Sequence, residues 1–291
     1  MAALPNYDRS VEDLGNITAL EHVNVTIPDQ RLATVFYVMG MGFTRDPYLN
    51  VGDENMWANV GSQQFHLPTR KAQIIDGHVG VVVPDLEALE SRLQGVADGL
   101  KESKFSFQRN SRFIEVTCPW GNRYRCHPSQ PGFGDMTLGI PYIEFSVKPG
   151  AAKAIVSFYR EAFGVPAAVE SDPTGSLGRV KIGRSQCLIF RETERAIAQY
   201  DGHHIAVYVA NFSGPYKYLT GRNLISEDVR NHQFRFRDII DPESGNTVFL
   251  LEHEVRSLRH PMYHRPFVNR DPAQSQRAYH RGWDAFVPFQ R

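Results

Sequence analysis

The feature that most constrains this chain is an internal duplication. Phe36-Tyr37 followed by Gly40-Met41-Gly42-Phe43 returns as Phe158-Tyr159 followed by Ala162-Phe163-Gly164. Gly77-His78-Val79-Gly80-Val81-Val82-Val83 returns as His203-His204-Ile205-Ala206-Val207-Tyr208-Val209, and Gly121-Asn122 returns as Gly245-Asn246. Three markers in one order, at a nearly constant spacing of about 124 residues, describe two copies of one plan, and a repeat of this kind decides the architecture before any single element does.

Each copy is itself double. The first half of the first copy reads as a strand from His22 to Ile27, a helix over Asp29 to Met39 with Leu32, Val35, Phe36 and Met39 near helical spacing, and short strands ending at Gln64 to Leu67. A second round starts with a strand over His78 to Val83. A helix follows, with Asp85 placed to cap it and Leu86, Leu89 and Leu93 on one face, then strands over 105–108, 113–118 and 123–127. The coarse pattern is βαβββ, four times, an α+β fold. A unit of this kind leaves one face of its sheet uncovered, so units pair, and a pair encloses a concave space suited to chemistry. The expected division is an N-terminal domain over 15–128 with a metal site, a Pro/Gly linker at Ser129 to Gly134, a C-terminal domain over 138–256 without one, and an arm over 257–291. The arm is rich in Arg, His and Pro and is expected to pack over a domain or a partner subunit, anchored by Trp283, Phe286 and Phe289. It would be the route to a homo-oligomer.

Composition narrows the functions. Lys+Arg and Asp+Glu balance at 32 each, so nothing predicts nucleic-acid binding or attraction to an anionic membrane. No apolar run approaches the roughly 18 residues of a spanning helix, and the first residues lack a secretory pattern, so a cytoplasmic protein is expected. Cys118, Cys126 and Cys187 show no C-x-x-C spacing and read as free thiols in strands.

Over roughly Ile17 to Glu254 the ordered pieces resemble the glyoxalase, bleomycin-resistance and extradiol-dioxygenase (vicinal oxygen chelate) superfamily. They are Glu21-His22-Val23-Asn24-Val25, Phe36-Tyr37 with Gly42, Gln64-Phe65-His66-Leu67-Pro68, Gly77 to Asp85, and Cys118-Pro119-Trp120-Gly121-Asn122 in place of the family's Asp-Pro-x-Gly-Asn turn. The resemblance implies the fold more strongly than a reaction, because this fold hosts isomerases, dioxygenases, transferases and metal-free binding proteins.

The resemblance also implies a ligand set: in metal-using members, the first and last strands of each paired unit supply the ligands. Carried onto the first copy, these positions are His22, His66, His78 and Arg125. Imidazoles bind Zn, Fe, Ni or Mn, whereas a guanidinium cannot ligate. Arg125 is then either a substrate clamp beside a three-histidine divalent metal, part of an anion pocket after loss of the metal, or the partner of Glu115 in an ion pair. By strand alternation Gln64 shares a face with His66, and His127 with Arg125, so either is a replacement ligand or an acid–base helper. In the second copy the matching positions are Glu144, Leu188 (with Gln186), His204 and Phe249, of which only Glu144 and His204 can ligate. Glu252-His253-Glu254 is not expected to act as a unit, since neighbours in a strand face opposite ways. The expectation is a metal-dependent enzyme for a small oxygen-bearing substrate, of dioxygenase, lyase or isomerase type. The alternatives are a metal-free small-molecule binding protein and a scaffold with vestigial sites.

Overall fold

The computed structural model describes residues 8–47 and 54–267. Among the described residues, sixteen strands form two eight-stranded sheets, and four helices accompany them. The first unit contributes β1 (Ile17–Asn24), β2 (Thr44–Arg45), β3 (Asn55–Val60) and β4 (Gln63–Pro68). The second contributes β5 (Gly77–Val82), β6 (Ser106–Arg109), β7 (Ile114–Thr117) and β8 (Arg123–His127). The third contributes β9 (Gly139–Val147), β10 (Ala167–Asp172), β11 (Gly175–Gly183) and β12 (Gln186–Glu192). The fourth contributes β13 (His204–Val209), β14 (Ile225–Arg230), β15 (Gln233–Ile240) and β16 (Thr247–Ser257). One helix follows the first strand of each unit: α1 (Gln30–Ala33, running on as a π-helix over Thr34–Gly40), α2 (Leu86–Leu100), α3 (Ala151–Phe163) and α4 (Ser213–Thr220). Asp29 and Asp85 cap the first two by accepting from backbone N–H groups of their first turns.

The sheets do not follow the two halves of the sequence. The first has the order β14-β15-β16-β13-β1-β4-β3-β2 and the second β10-β11-β12-β9-β5-β8-β7-β6. Thus unit one joins unit four through β1 and β13, and unit two joins unit three through β5 and β9, both antiparallel. The expected division at 15–128 and 138–256 separates strands that the structure joins. The physical reason is that each unit ends in a free strand edge, and here the edges closed across the duplication rather than within each half.

Alternation along the strands sorts one core from two clefts. In the first sheet Val23, Phe65, Val207, Leu251 and Val255 belong to the buried apolar cluster, as do Val79, Tyr124, Ile143 and Phe190 of the second sheet. Helices fill the space between the sheets: Phe36 and Tyr37 of unit one meet Phe105 and Tyr124 of unit two, while Phe158 and Tyr159 meet Phe190 and Phe236. The two copies satisfy the buried phenol differently, with Tyr37 bonded to the Tyr124 hydroxyl and Tyr159 to His253 Nε2, each at 2.7 Å. The polar residues between these core positions line the concave faces.

Cys126 and Cys187 lie in strands and Cys118 one residue past β7; all three are free thiols. Among the described residues no helix is long and apolar enough to cross a membrane. The start of the arm, residues 258–267, folds back over the first cleft: Met262 packs with Trp57, and Arg265 is buried in an ion pair with Asp46. Trp283, Phe286 and Phe289 lie outside the described residues.

Candidate metal centre

Three histidines converge in the cleft of the first sheet. His22 on β1, His66 on β4 and His204 on β13 each bring a ring nitrogen to within 4.8 Å of the others. The parallel register of β1 and β4 pairs Asn24 with His66, and the antiparallel register of β1 and β13 pairs Asn24 with His204. His66 and His204 therefore stand at one level on either side of β1, two residues along from His22. The ring centroids of His66 and His204 stand 5.7 and 5.6 Å from that of His22.

A bulge in β1 prepares the site. The register against β13 shifts between Leu20 and His22, so the consecutive residues Glu21 and His22 both face the cleft while Leu20 and Val23 stay in the core. Glu21 can consequently accept from His22 Nδ1 at 2.9 Å, which orients the ring and leaves Nε2 with its lone pair outward. Glu21 also takes the Tyr208 hydroxyl at 3.1 Å and an ion pair from Arg256. Burial would raise its carboxyl, but Arg256 and His22 outweigh burial and hold it at about 2.

His66 Nδ1 meets the side-chain amide of Asn24 at 2.6 Å. The amide Nδ2–H donates to Nδ1; a half-turn of the amide would let Nδ1–H donate to its oxygen instead and free Nε2 for a cation. Trp57 stacks on His66 at 3.9 Å and meets the edge of His22 at 4.9 Å. Burial first, then the neighbouring His22 and His204, push His66 well below the usual imidazole range; burial and His22 do the same to His204. These rings are held neutral, the form that binds a cation.

The fourth side of the cluster is a carboxylate. Glu254 on β16 places Oε2 3.7 Å from His204 Nε2, and Glu252, on the same face, lies 3.8 Å from His204 Nδ1. Burial opposes the charge on Glu254, yet Arg256, His22 and Arg235 keep it ionised far below the ordinary carboxylate range. Arg235 donates to Glu254 at 2.6 Å and also pairs with Glu252.

The residues present fit a divalent cation. The Nε2 atoms of His22, His66 and His204 are all buried and without a hydrogen-bond partner. Buried ring nitrogens are normally satisfied, so three orphans pointing into one space describe the donor half of a coordination site. Three imidazoles with one ionised carboxylate make the N3O set of Zn, Fe, Mn or Ni.

The other residues named from the sequence are placed as follows. His78 stands in the second sheet, with Nδ1 3.7 Å from Glu144 and Nε2 3.3 Å from the Tyr142 hydroxyl, and therefore does not join His22 and His66. Arg125 and His127 share that second cleft on β8. Gln64 faces the first cleft, where its amide nitrogen donates to Asp46 (2.5 Å) and Asn59 (2.6 Å) and its oxygen accepts from Arg265. Leu188 is a core residue, Phe249 packs on Phe145 and Phe190, and Gln186 holds the Leu20 backbone N–H. His204 completes the cluster instead, with the Glu254 carboxylate beside it. The signal for Glu254 was present: alternation puts Glu252 and Glu254 on one face with His253 on the other, and only the middle residue needed to be discarded.

A cavity of about 260 Å³ adjoins the cluster, lined by Glu21, Gln63 and Tyr208 from the sheet and by Met262, Tyr263 and Arg265 from the arm. Two of its lining residues also touch the cluster's surroundings, Glu21 at His22 and Met262 at Trp57.

No family model and no curated protein matches the chain. Solved structures do. Glyoxalase I from Zea mays superimposes with a TM-score of 0.60 at 11% identity, covering 82% of this chain and 92% of that one; a single-residue variant of it gives 0.58 at 12% over the same shares. A candidate dioxygenase from Bacillus subtilis subsp. subtilis str. 168 gives 0.55 at 14% identity, covering 84% and 86%. The chain has the two-module fold of the glyoxalase/dioxygenase (vicinal oxygen chelate) superfamily.

Proposed function

We propose that the protein is a divalent-metal-dependent enzyme of the glyoxalase/dioxygenase type, with its centre in the cleft shared by units one and four. His22, His66 and His204 would hold the ion, with Glu254 as the fourth ligand. The observation that carries this reading is a set of three histidines whose ring nitrogens lie within 4.8 Å of one another and whose Nε2 atoms are buried without a hydrogen-bond partner. The ion would supply Lewis acidity toward a small oxygen-bearing substrate.

The chain's own groups define the rest of the site. The arm segment around Met262 and the indole of Trp57 exclude water from the imidazoles. Trp57 Nε1 is buried without an acceptor, so it is available to donate to a substrate oxygen. Glu254, locked between Arg256 and Arg235, is too weak a base to move a proton at neutral pH, which fits a ligand rather than a general base. Arg256 ties Glu21 and Glu254 together and so couples the orientation of His22 to the fourth ligand.

The reading is tested by stripping the purified protein with a chelator and titrating Zn, Mn, Fe and Ni back by calorimetry. One site per chain is expected, weakened about tenfold or more by Glu254→Gln and abolished by His22→Ala. Failure of every metal to bind the stripped, folded protein would refute it.

A further inference from the structure

The second sheet carries its own cleft, built from the same strand positions but with other chemistry. In the first sheet the outer ligand sits two residues beyond the partner of the inner one: His22 pairs with Gln64, and His66 follows; His204 pairs with Glu252, and Glu254 follows. The same rule in the second sheet picks out Arg125 on β8, beyond the level of His78, and Arg191 on β12, beyond the Ile189 partner of Glu144. Two guanidiniums thus replace two ligands.

Their situations differ. Arg191 is neutralised, with Nε 3.1 Å from Glu144 and Nη2 2.9 Å from Asp172. Arg125 forms no ion pair among the described residues, although Glu115 lies directly across from it on β7. Its Nε is buried without a partner, and one face of the guanidinium rests on the Phe113 ring, 5.2 Å from the centroid. A half-buried cation with an unsatisfied N–H is costly unless something accepts from it.

Around this group the cleft is aromatic. His127 lies between Phe113 and Phe133 at 5.3 and 5.2 Å, and Tyr142 bridges His127 Nε2 at 2.9 Å and His78 Nε2 at 3.3 Å. The Tyr142 ring lies flat on the β5 backbone at Gly80, where a Cβ would stand 2.3 Å from it. Burial, then Arg125, hold His78 at about 3 and His127 at about 4, so the positive charge of the cleft rests on its arginines.

We infer that this second cleft is a separate binding site for a small carboxylate with a flat apolar body, received by the Nε–H and Nη–H edge of Arg125 and walled by Phe113, Phe133 and Tyr142. The planar fork of a guanidinium matches a carboxylate with two parallel hydrogen bonds, and the rings suit an aryl or unsaturated body. The site is independent of the metal centre.

Benzoate is the probe, used on metal-stripped protein so that its carboxylate has no ion to bind at the other cleft. Calorimetry on the full-length protein should show saturable binding that Arg125→Gln weakens about tenfold or more and that Arg125→Lys, which keeps the charge but loses the fork, weakens less. Melting curves check that both variants fold. His204→Ala should bind benzoate as the parent does, which separates this site from the metal proposal. Absence of saturable binding, binding that survives Arg125→Gln, loss of binding in His204→Ala, or tighter binding of inorganic phosphate than of benzoate would overturn the inference.

Discussion

Replacing Arg256 by Met removes the one cation shared by Glu21 and Glu254. All three side chains are sequestered, at 4%, 7% and 3% exposure, so solvent cannot take over the pairing. Glu254 keeps Arg235, but Glu21 is left with only Tyr208 and His22. Breaking one side of a buried pair costs about 3–5 kcal/mol because a desolvated charge remains. The sign with pH follows from Glu21: its folded-state pKa lies at about 2, below the ordinary 4.5, so its contribution is present above 4.5 and is lost as pH falls toward 2. Urea unfolding of metal-stripped protein at pH 7 should therefore show a deficit of about 3–5 kcal/mol in Arg256→Met that shrinks below pH 4.5. A cation at the imidazoles would offset part of it, so the deficit should also narrow on adding metal. A loss under about 1 kcal/mol, or one independent of pH, would refute the buried network as described.

Two further perturbations test the scaffold. His253 is buried against Phe236 and Tyr159, and burial lowers it from 6.5 to about 4; the unfolded chain then binds a proton that the folded chain refuses, so stability falls between pH 6.5 and 4 by up to about 3 kcal/mol. Denaturant curves across that window should show the loss, and His253→Phe should flatten it. Gly61 turns β3 into β4 at a φ of +62°, and a Cβ there would lie 2.0 Å from the Leu138 carbonyl oxygen; Gly61→Ala should cost at least about 2 kcal/mol by thermal or urea unfolding, and an unchanged midpoint would contradict the packing of that turn on the linker.

The units were legible in the sequence because their signals are local. Strand alternation, the Asp85 cap and the repeated Phe-Tyr pair all act within one unit, and four βαβββ rounds follow from them. Which unit closes against which is a non-local choice between similar free edges, and the residues of β1, β5, β9 and β13 do not announce it. That single ambiguity moved the cluster: with unit one joined to unit four, His22 and His66 meet His204, while His78, Arg125 and His127 go to the other cleft. Glu254 was obscured by irregular register. The β15–β16 ladder shifts twice, between Phe236 and Asp238 and between Ile239 and Ile240, so counting from the Gly245-Asn246 turn arrives at Phe249, which faces the core. Glu21 was hidden by the β1 bulge, since ordinary alternation would send it away from His22.

The most direct measurement is the metal content of protein purified without chelator, compared between the parent, His204→Ala and His78→Ala. The account predicts stoichiometric metal in the parent and in His78→Ala and its loss in His204→Ala. Metal retained without His204, or lost without His78, would contradict a centre assembled across units one and four.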